Sequence, residues 1–134
     1  MPIEITLHEN PVAWAAPKLG RGHTYDPKEA DKRAIRYLIK QQYTGEIITS
    51  YTVIEIYLYF EPPASASKKQ RTLMLSGDII PTSKDCTNCQ KLYEDCLKKI
   101  VIDDDRKVKR ITSDKAFAEK GKVIIKVYTL EEFF

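Results

Sequence analysis

The stretch Pro81–Val108, PTSKDCTNCQKLYEDCLKKIVIDDDRKV, decides how this chain is read. It opens on a polar turn carrying Asp85, enters an amphipathic segment, and ends in three consecutive carboxylates, Asp103, Asp104 and Asp105. The spacing predicts a helix from Thr87 to Ile100. Cys89, Leu92, Tyr93, Cys96 and Ile100 recur at three- and four-residue steps and form one apolar stripe. Asn88, Lys91 and Asp95 share the other side by the same spacing. The helix fixes a lysine near its first turn, close to Asp85. A short return connection is expected to bring the triple aspartate back towards that end.

Clustered aspartates beside a fixed lysine suit a hard divalent cation working on a phosphate. Mg²⁺ is held by one or two carboxylates together with water and substrate oxygens. It activates water and, with a lysine, neutralises charge in a phosphoryl transition state. A capped surface helix followed by a solvated acidic turn has the same spacing. Spacing alone leaves both readings open.

The stretch resembles the signature of the RusA-type Holliday-junction endonucleases, which runs D-x-D-N-x-x-K-x-x-x-D-x-L and then, after a short gap, D-D. Asp85, Asn88, Lys91, Asp95, Leu97 and the pair Asp104-Asp105 stand at the matching positions. Thr87 stands where the family has its second aspartate, one of the carboxylates implicated in metal binding. The resemblance implies an α+β fold, a mixed sheet packed with about two helices, and a single domain over residues 1–134 acting as a homodimer. It implies Mg²⁺-dependent cleavage of four-way DNA junctions, with Asp85, Asp105 and Asp104 on the metal. Asp103, extra to the family's pair, would be a compensating ligand. Lys91 would stabilise the scissile phosphate or help orient the water, and Asn88 would hold the turn and a metal ligand by hydrogen bonding. Two other readings stay open. Loss of a carboxylate at Thr87 would leave a branched-DNA-binding protein with weakened cleavage, and the same fold also suits a nuclease for flapped or otherwise branched DNA.

Working outward, the 134 residues suffice for one domain with its own core. With 22 Lys and Arg against 19 Asp and Glu, the net charge of +3 is too mild to mark a nucleic-acid binder by itself. Its distribution is more informative, because basic residues gather at 18–21, 28–36, 68–71, 98–99 and 106–110. Lys18, Arg21, Lys68, Lys69, Arg71 and Lys84 are the expected DNA contacts. Solvated loop and helix surface is the plainer account of any single cluster. The N-terminal MPIEITL is charged too early for a secretory leader, and no apolar run approaches the roughly 20 residues of a membrane span. A cytoplasmic protein is expected.

Ile3–Leu7 alternates as a strand. Residues 10–23 (NPVAWAAPKLGRGH) read as a basic loop whose Trp14 either stacks on an exposed base or anchors the core. Asp26-Pro27 reads as a helix entry. The helix itself runs to Gln42, with Ala30, Ala34, Tyr37, Leu38 and Gln41 near one side and Lys28, Lys32, Arg33, Arg36 and Lys40 elsewhere, a basic set that suits either a DNA backbone or a solvated face. Tyr51–Phe60 is β-branched or aromatic almost throughout and reads as a central strand stopped by Pro62-Pro63. A flexible basic loop over 62–70 and a short edge segment over 72–76 are expected to follow. Arg106–Thr112 and Lys122–Leu130 read as strands flanking a polar excursion, with hairpin-like pairing at the end of the chain. Cys86, Cys89 and Cys96 include a C-x₂-C pair, but a structural zinc wants four ligands. Their helical register favours core packing.

Overall fold

The computed structural model describes residues 2–134. The sheet's first strand, β1, is Ile3–Leu7, and a small ribbon of β2 (Lys18–Leu19) with β3 (Thr24–Tyr25) follows. Helix α1 spans Glu29–Gln42, strand β4 Thr52–Phe60, helix α2 Lys68–Leu75 and helix α3 Cys86–Leu97. A 3₁₀ turn over Asp105–Lys107 leads into β5 (Val108–Phe117). The chain ends with β6 (Lys122–Thr129) and a short helix, α4 (Leu130–Phe133). The main sheet has the order β1-β6-β4-β5, so the fold is α+β with a mixed sheet.

β4 pairs antiparallel with β6 and parallel with β5, which makes it central. Its Ile54, Ile56, Leu58 and Phe60 are buried on one face, with Ile125 and Val127 of β6 and Ile5 and Leu7 of β1. Helices α1 and α3 close that core through Ile35, Ile39, Cys89, Leu92, Tyr93, Cys96 and Leu97. The opposite face carries Glu55, Tyr57 and Tyr59, paired across the ladder with Lys126, Ile124 and Lys122 of β6. There Glu55 accepts hydrogen bonds from Tyr57 and Tyr128 at 3.2 and 2.8 Å.

The structure corrects several sequence expectations. β5 and β6 are consecutive but do not pair as a hairpin, because β4 lies between them. The parallel β4–β5 pair needs a crossover, and α2 and α3 supply it. β5 also runs on through Phe117, so the expected polar excursion shrinks to a turn at 118–121. In that turn a Cβ on Gly121 would collide with the Asn10 side chain, whose Oδ1 accepts from the Glu61 N–H at 2.9 Å. The segment over 68–75 is a helix, not a loop and edge strand. Ser67 and Gln70 form a reciprocal capping box that satisfies its first turn.

Helix α1 begins at Glu29 rather than Pro27, with Asp26 accepting from the Lys28 N–H at 2.8 Å ahead of it. Its buried face is Lys32, Ile35 and Ile39, while Ala30, Ala34, Tyr37, Leu38 and Gln41 are exposed. Lys32 is accordingly not a solvated base. The neighbours Leu38 and Ile39 therefore give a direct check on the helix's rotation. Ile39→Ala should cost about 2–5 kcal/mol in urea unfolding, whereas Leu38→Ala should stay within about 0.5 kcal/mol of the parent.

Candidate functional site

Asp85 is the N-cap of α3. Its Oδ1 accepts from the Asn88 N–H at 2.7 Å, and its Oδ2 lies 3.4 Å from the Asn88 amide nitrogen. The aspartate satisfies a first-turn donor that a helix otherwise leaves open, and it places negative charge at the positive end of the helix dipole. Asn88 thus holds the Asp85 carboxylate as well as the turn. One turn further on, Lys91 projects to solvent with its ammonium 3.6 Å from the centre of the Trp14 ring.

The segment that carries Trp14 is strapped along this helix. The Trp14 N–H donates to the Asn88 carbonyl at 2.9 Å, and the Val12 N–H donates to the Tyr93 hydroxyl at 3.0 Å. Lys84 Nζ donates to the Pro11 carbonyl at 2.7 Å. The fully buried Tyr93 donates in turn to Glu9 at 2.7 Å. Burial raises the Glu9 pKa, partly offset by that hydrogen bond. It also raises the Tyr93 phenol, with the Glu9 carboxylate adding to the effect. Trp14 is half-buried against the core, in line with the core-anchor reading, and also faces the signature lysine.

The aspartate triplet lies elsewhere. Asp105 pairs with Lys98 at 3.4 Å, and the same ammonium pairs with Asp95 at 3.2 Å. Burial works against the Lys98 charge, but hydrogen bonds to Asp95 and then Asp105 outweigh it and hold the ammonium above its ordinary pKa. Glu94 is raised by burial and by the charges of Asp105 and Asp95. Lys32, buried beneath, lies 2.7 Å from Asp26 and 3.9 Å from Asp95. Asp104 is tied to Arg106 at 2.8 Å and Asp103 to Lys107 at 3.2 Å. Hydrogen bonds from Arg106 hold the Asp104 carboxyl well below its ordinary range.

This group sits at the C-terminal end of α3, whereas Asp85 sits at its N-terminal end. Asp85 and Asp95 are separated by about 15 Å of helix. β5 shows the same separation. Asp105 lies three residues before its first residue, whereas Lys115, near its last, donates to the Lys84 carbonyl at 3.1 Å. The expected return of the triplet to the first turn does not occur. Among the described residues no three His, Cys, Asp or Glu side chains are placed to hold a metal ion. The carboxylates of one chain therefore do not fit an ion shared by Asp85 and Asp105.

Thr87 is exposed in the first turn, beside Asp85 and on the Lys91 side of the helix. Cys89 and Cys96 are fully buried, and burial pushes their thiols up to about 11 and about 12. They are neutral core residues, as the helical register implies. Lys18, Arg21, Lys68, Lys69 and Arg71 are all exposed, the last three on α2, while Lys84 is committed to its carbonyl. Among the described residues no helix is long and apolar enough to cross a membrane.

A model of the family described as endodeoxyribonuclease RusA matches residues 8–128. A comparison with curated proteins found no match.

The Trp14–Lys91 contact is open to NMR. Ring current should displace the Lys91 ε-methylene protons upfield, and Trp14→Ala should return them to ordinary lysine positions. Unchanged shifts would mean that the stack is absent. The cation–π term itself is worth about 0.5–1 kcal/mol at an exposed site, so the fold should survive the change.

Proposed function

The chain belongs to the RusA family of endodeoxyribonucleases, nucleases that resolve Holliday junctions, and on that premise we propose that it is a divalent-metal-dependent homodimer that nicks four-way DNA junctions. The observation that carries the reading is the mounting of the first part of the signature on one rigid helix. Asp85 caps α3, Asn88 bonds to its carboxylate, and Lys91 stands one turn on at the solvent face, steadied by Trp14.

Lys91 supplies positive charge to the scissile phosphate. Held on an aromatic face, it has fewer rotamers to lose when the phosphate arrives. Lys18, Arg21, Lys68, Lys69 and Arg71 contact backbone phosphates, which position the duplex arms without reading sequence. Mg²⁺ is the proposed ion, because the signature offers hard carboxylate oxygens. Asp85 at one end of α3 and Asp104 and Asp105 at the other are the proposed metal-binding carboxylates, each end a separate group, with Asp103 beside the pair and bound to Lys107. A two-fold dimer presents two equivalent nicking sites to a junction with two-fold symmetry.

A second reading rests on Thr87. A hydroxyl ligates Mg²⁺ as a neutral donor and supplies no charge, so cleavage falls while junction binding remains. The assay is nicking of a labelled four-way junction beside the matched linear duplex in Mg²⁺, with Thr87→Asp run in parallel. Paired nicks on the junction alone support the resolvase. Binding without nicks, with nicking gained by Thr87→Asp, supports the weakened enzyme. Failure of both chains to bind the junction rejects both readings.

A further inference from the structure

We infer that the cavity between α2 and the end of the sheet is a nucleobase pocket, which takes one unpaired base from the branch point of the DNA. The inference rests on the nuclease reading above and deepens it, because it names the part of the substrate that this region holds. The cavity measures about 320 Å³ and lies beside the first turn of α3, with Lys84, the residue before Asp85, on its wall. Small-molecule sites run from roughly 300 to 1,000 Å³, so its size suits one flat ring system and little more.

Its apolar lining is built from two sources. One is the end of the parallel ladder, where Phe60 of β4 and Phe117 of β5 are register partners. The other is α2 and the turn that follows it, which supply Met74 and Ile79. Helix α2 buries none of its residues. Its apolar run Leu73-Met74-Leu75 is only partly covered, and Ile80, also on the cavity wall, is left 59% exposed. Such a helix has apolar surface still to cover. A planar ring lodged between it and the two phenylalanines covers that surface and gains an aromatic partner.

The rest of the lining is polar. Asn10 and Glu61 meet there, the Asn10 Oδ1 accepting from the Glu61 N–H at 2.9 Å, and the exposed Thr82 adds a hydroxyl. The edge of a base carries donors and acceptors together, which an amide, a carboxylate and a hydroxyl match. The Glu61 charge disfavours a phosphate at the same spot. Phosphates have a place next to it instead. Arg71 stands one turn before Met74 on the same side of α2, with Lys68 a turn earlier still, and both are exposed. A strand whose phosphates lie along that basic helix carries its bases past the cavity. Along a duplex arm those bases are paired and stacked. The base that enters therefore comes from the branch point, where pairing is interrupted and unstacking costs least.

The probe is the Met74 ε-methyl group, followed by NMR in the full chain without divalent metal. Met1 and Met74 are the chain's two methionines, so its signal is simple to assign. An intact four-way junction should move the methyl upfield, as a ring stacked beside it requires. The matched linear duplex, and a junction with abasic residues around the crossover, should bind without moving it. An unmoved methyl in the bound junction, or an equal shift with the abasic one, overturns the inference. So does a response to free deoxynucleoside monophosphates with none to the junction, which assigns the cavity to a small ligand. Thr82→Trp sets a large side chain at an exposed position on the cavity wall. It should weaken junction binding about tenfold, within the range of one base stacked on an aromatic side chain, and leave duplex binding unchanged. Undiminished affinity of this variant for the junction also overturns the pocket. If the wild-type chain nicks junctions in Mg²⁺ while the methyl stays unmoved, the nuclease reading survives and the pocket falls. If the methyl responds and no nick appears, the reverse holds.

Discussion

The docking of α3 on the sheet sets the position of every signature residue. Its buried stripe holds the helix against α1 and the sheet and leaves its two ends fixed about 18 Å apart. The reason is topological. β4 and β5 run parallel, and parallel neighbours need a crossover that carries the chain back along the sheet before the next strand begins. A residue that caps the crossover helix and a residue that opens the following strand must lie at opposite ends of the sheet. Asp85 and Asp105 are such a pair.

The two ends differ electrically as well as in place. At the first turn an acidic cap, an amide and a lysine resting on tryptophan form a small, accessible group with modest burial. At the last turn five charged side chains interlock, because buried Lys32 requires Asp26 and Asp95, and Asp95 shares Lys98 with Asp105. Removing one partner of a buried charge costs far more than removing one partner of an exposed pair. Asp26 and Asp95 are therefore first of all structural, even though Asp95 belongs to the signature. Asp105 is held by Lys98 on a partly exposed pair, which leaves its carboxylate cheap to recruit.

Much of this was legible in the sequence where local pattern decides the outcome. β1, β4, β6 and the α3 stripe follow from period-two and period-3.6 spacing, and Cys89 and Cys96 fell into the core as their register required. The α2 helix was also readable, since Ser67 and Gln70 stand at capping-box spacing, but the surrounding Ser, Ala and Lys composition read as loop. The buried face of α1 was missed because Ile35 and Ile39 are a narrow stripe beside a wider run of Ala, Tyr and Leu. Insertion of β4 between β5 and β6 is a long-range pairing that no local pattern encodes. The expectation for the aspartates failed for the same reason. Asp85 and Asp105 are 20 residues apart along the chain, and only the strand order says to which end the chain has returned.

The central claim is that the docked α3 holds Asp85 and Asp105 at its opposite ends. Double electron–electron resonance between nitroxides attached through D85C and D105C, in a chain with Cys86 replaced by serine and diluted with unlabelled chain, tests it most directly. The account predicts a separation of about the length of the helix, about 18 Å or more. A separation too short for the helix to lie between the labels would contradict it.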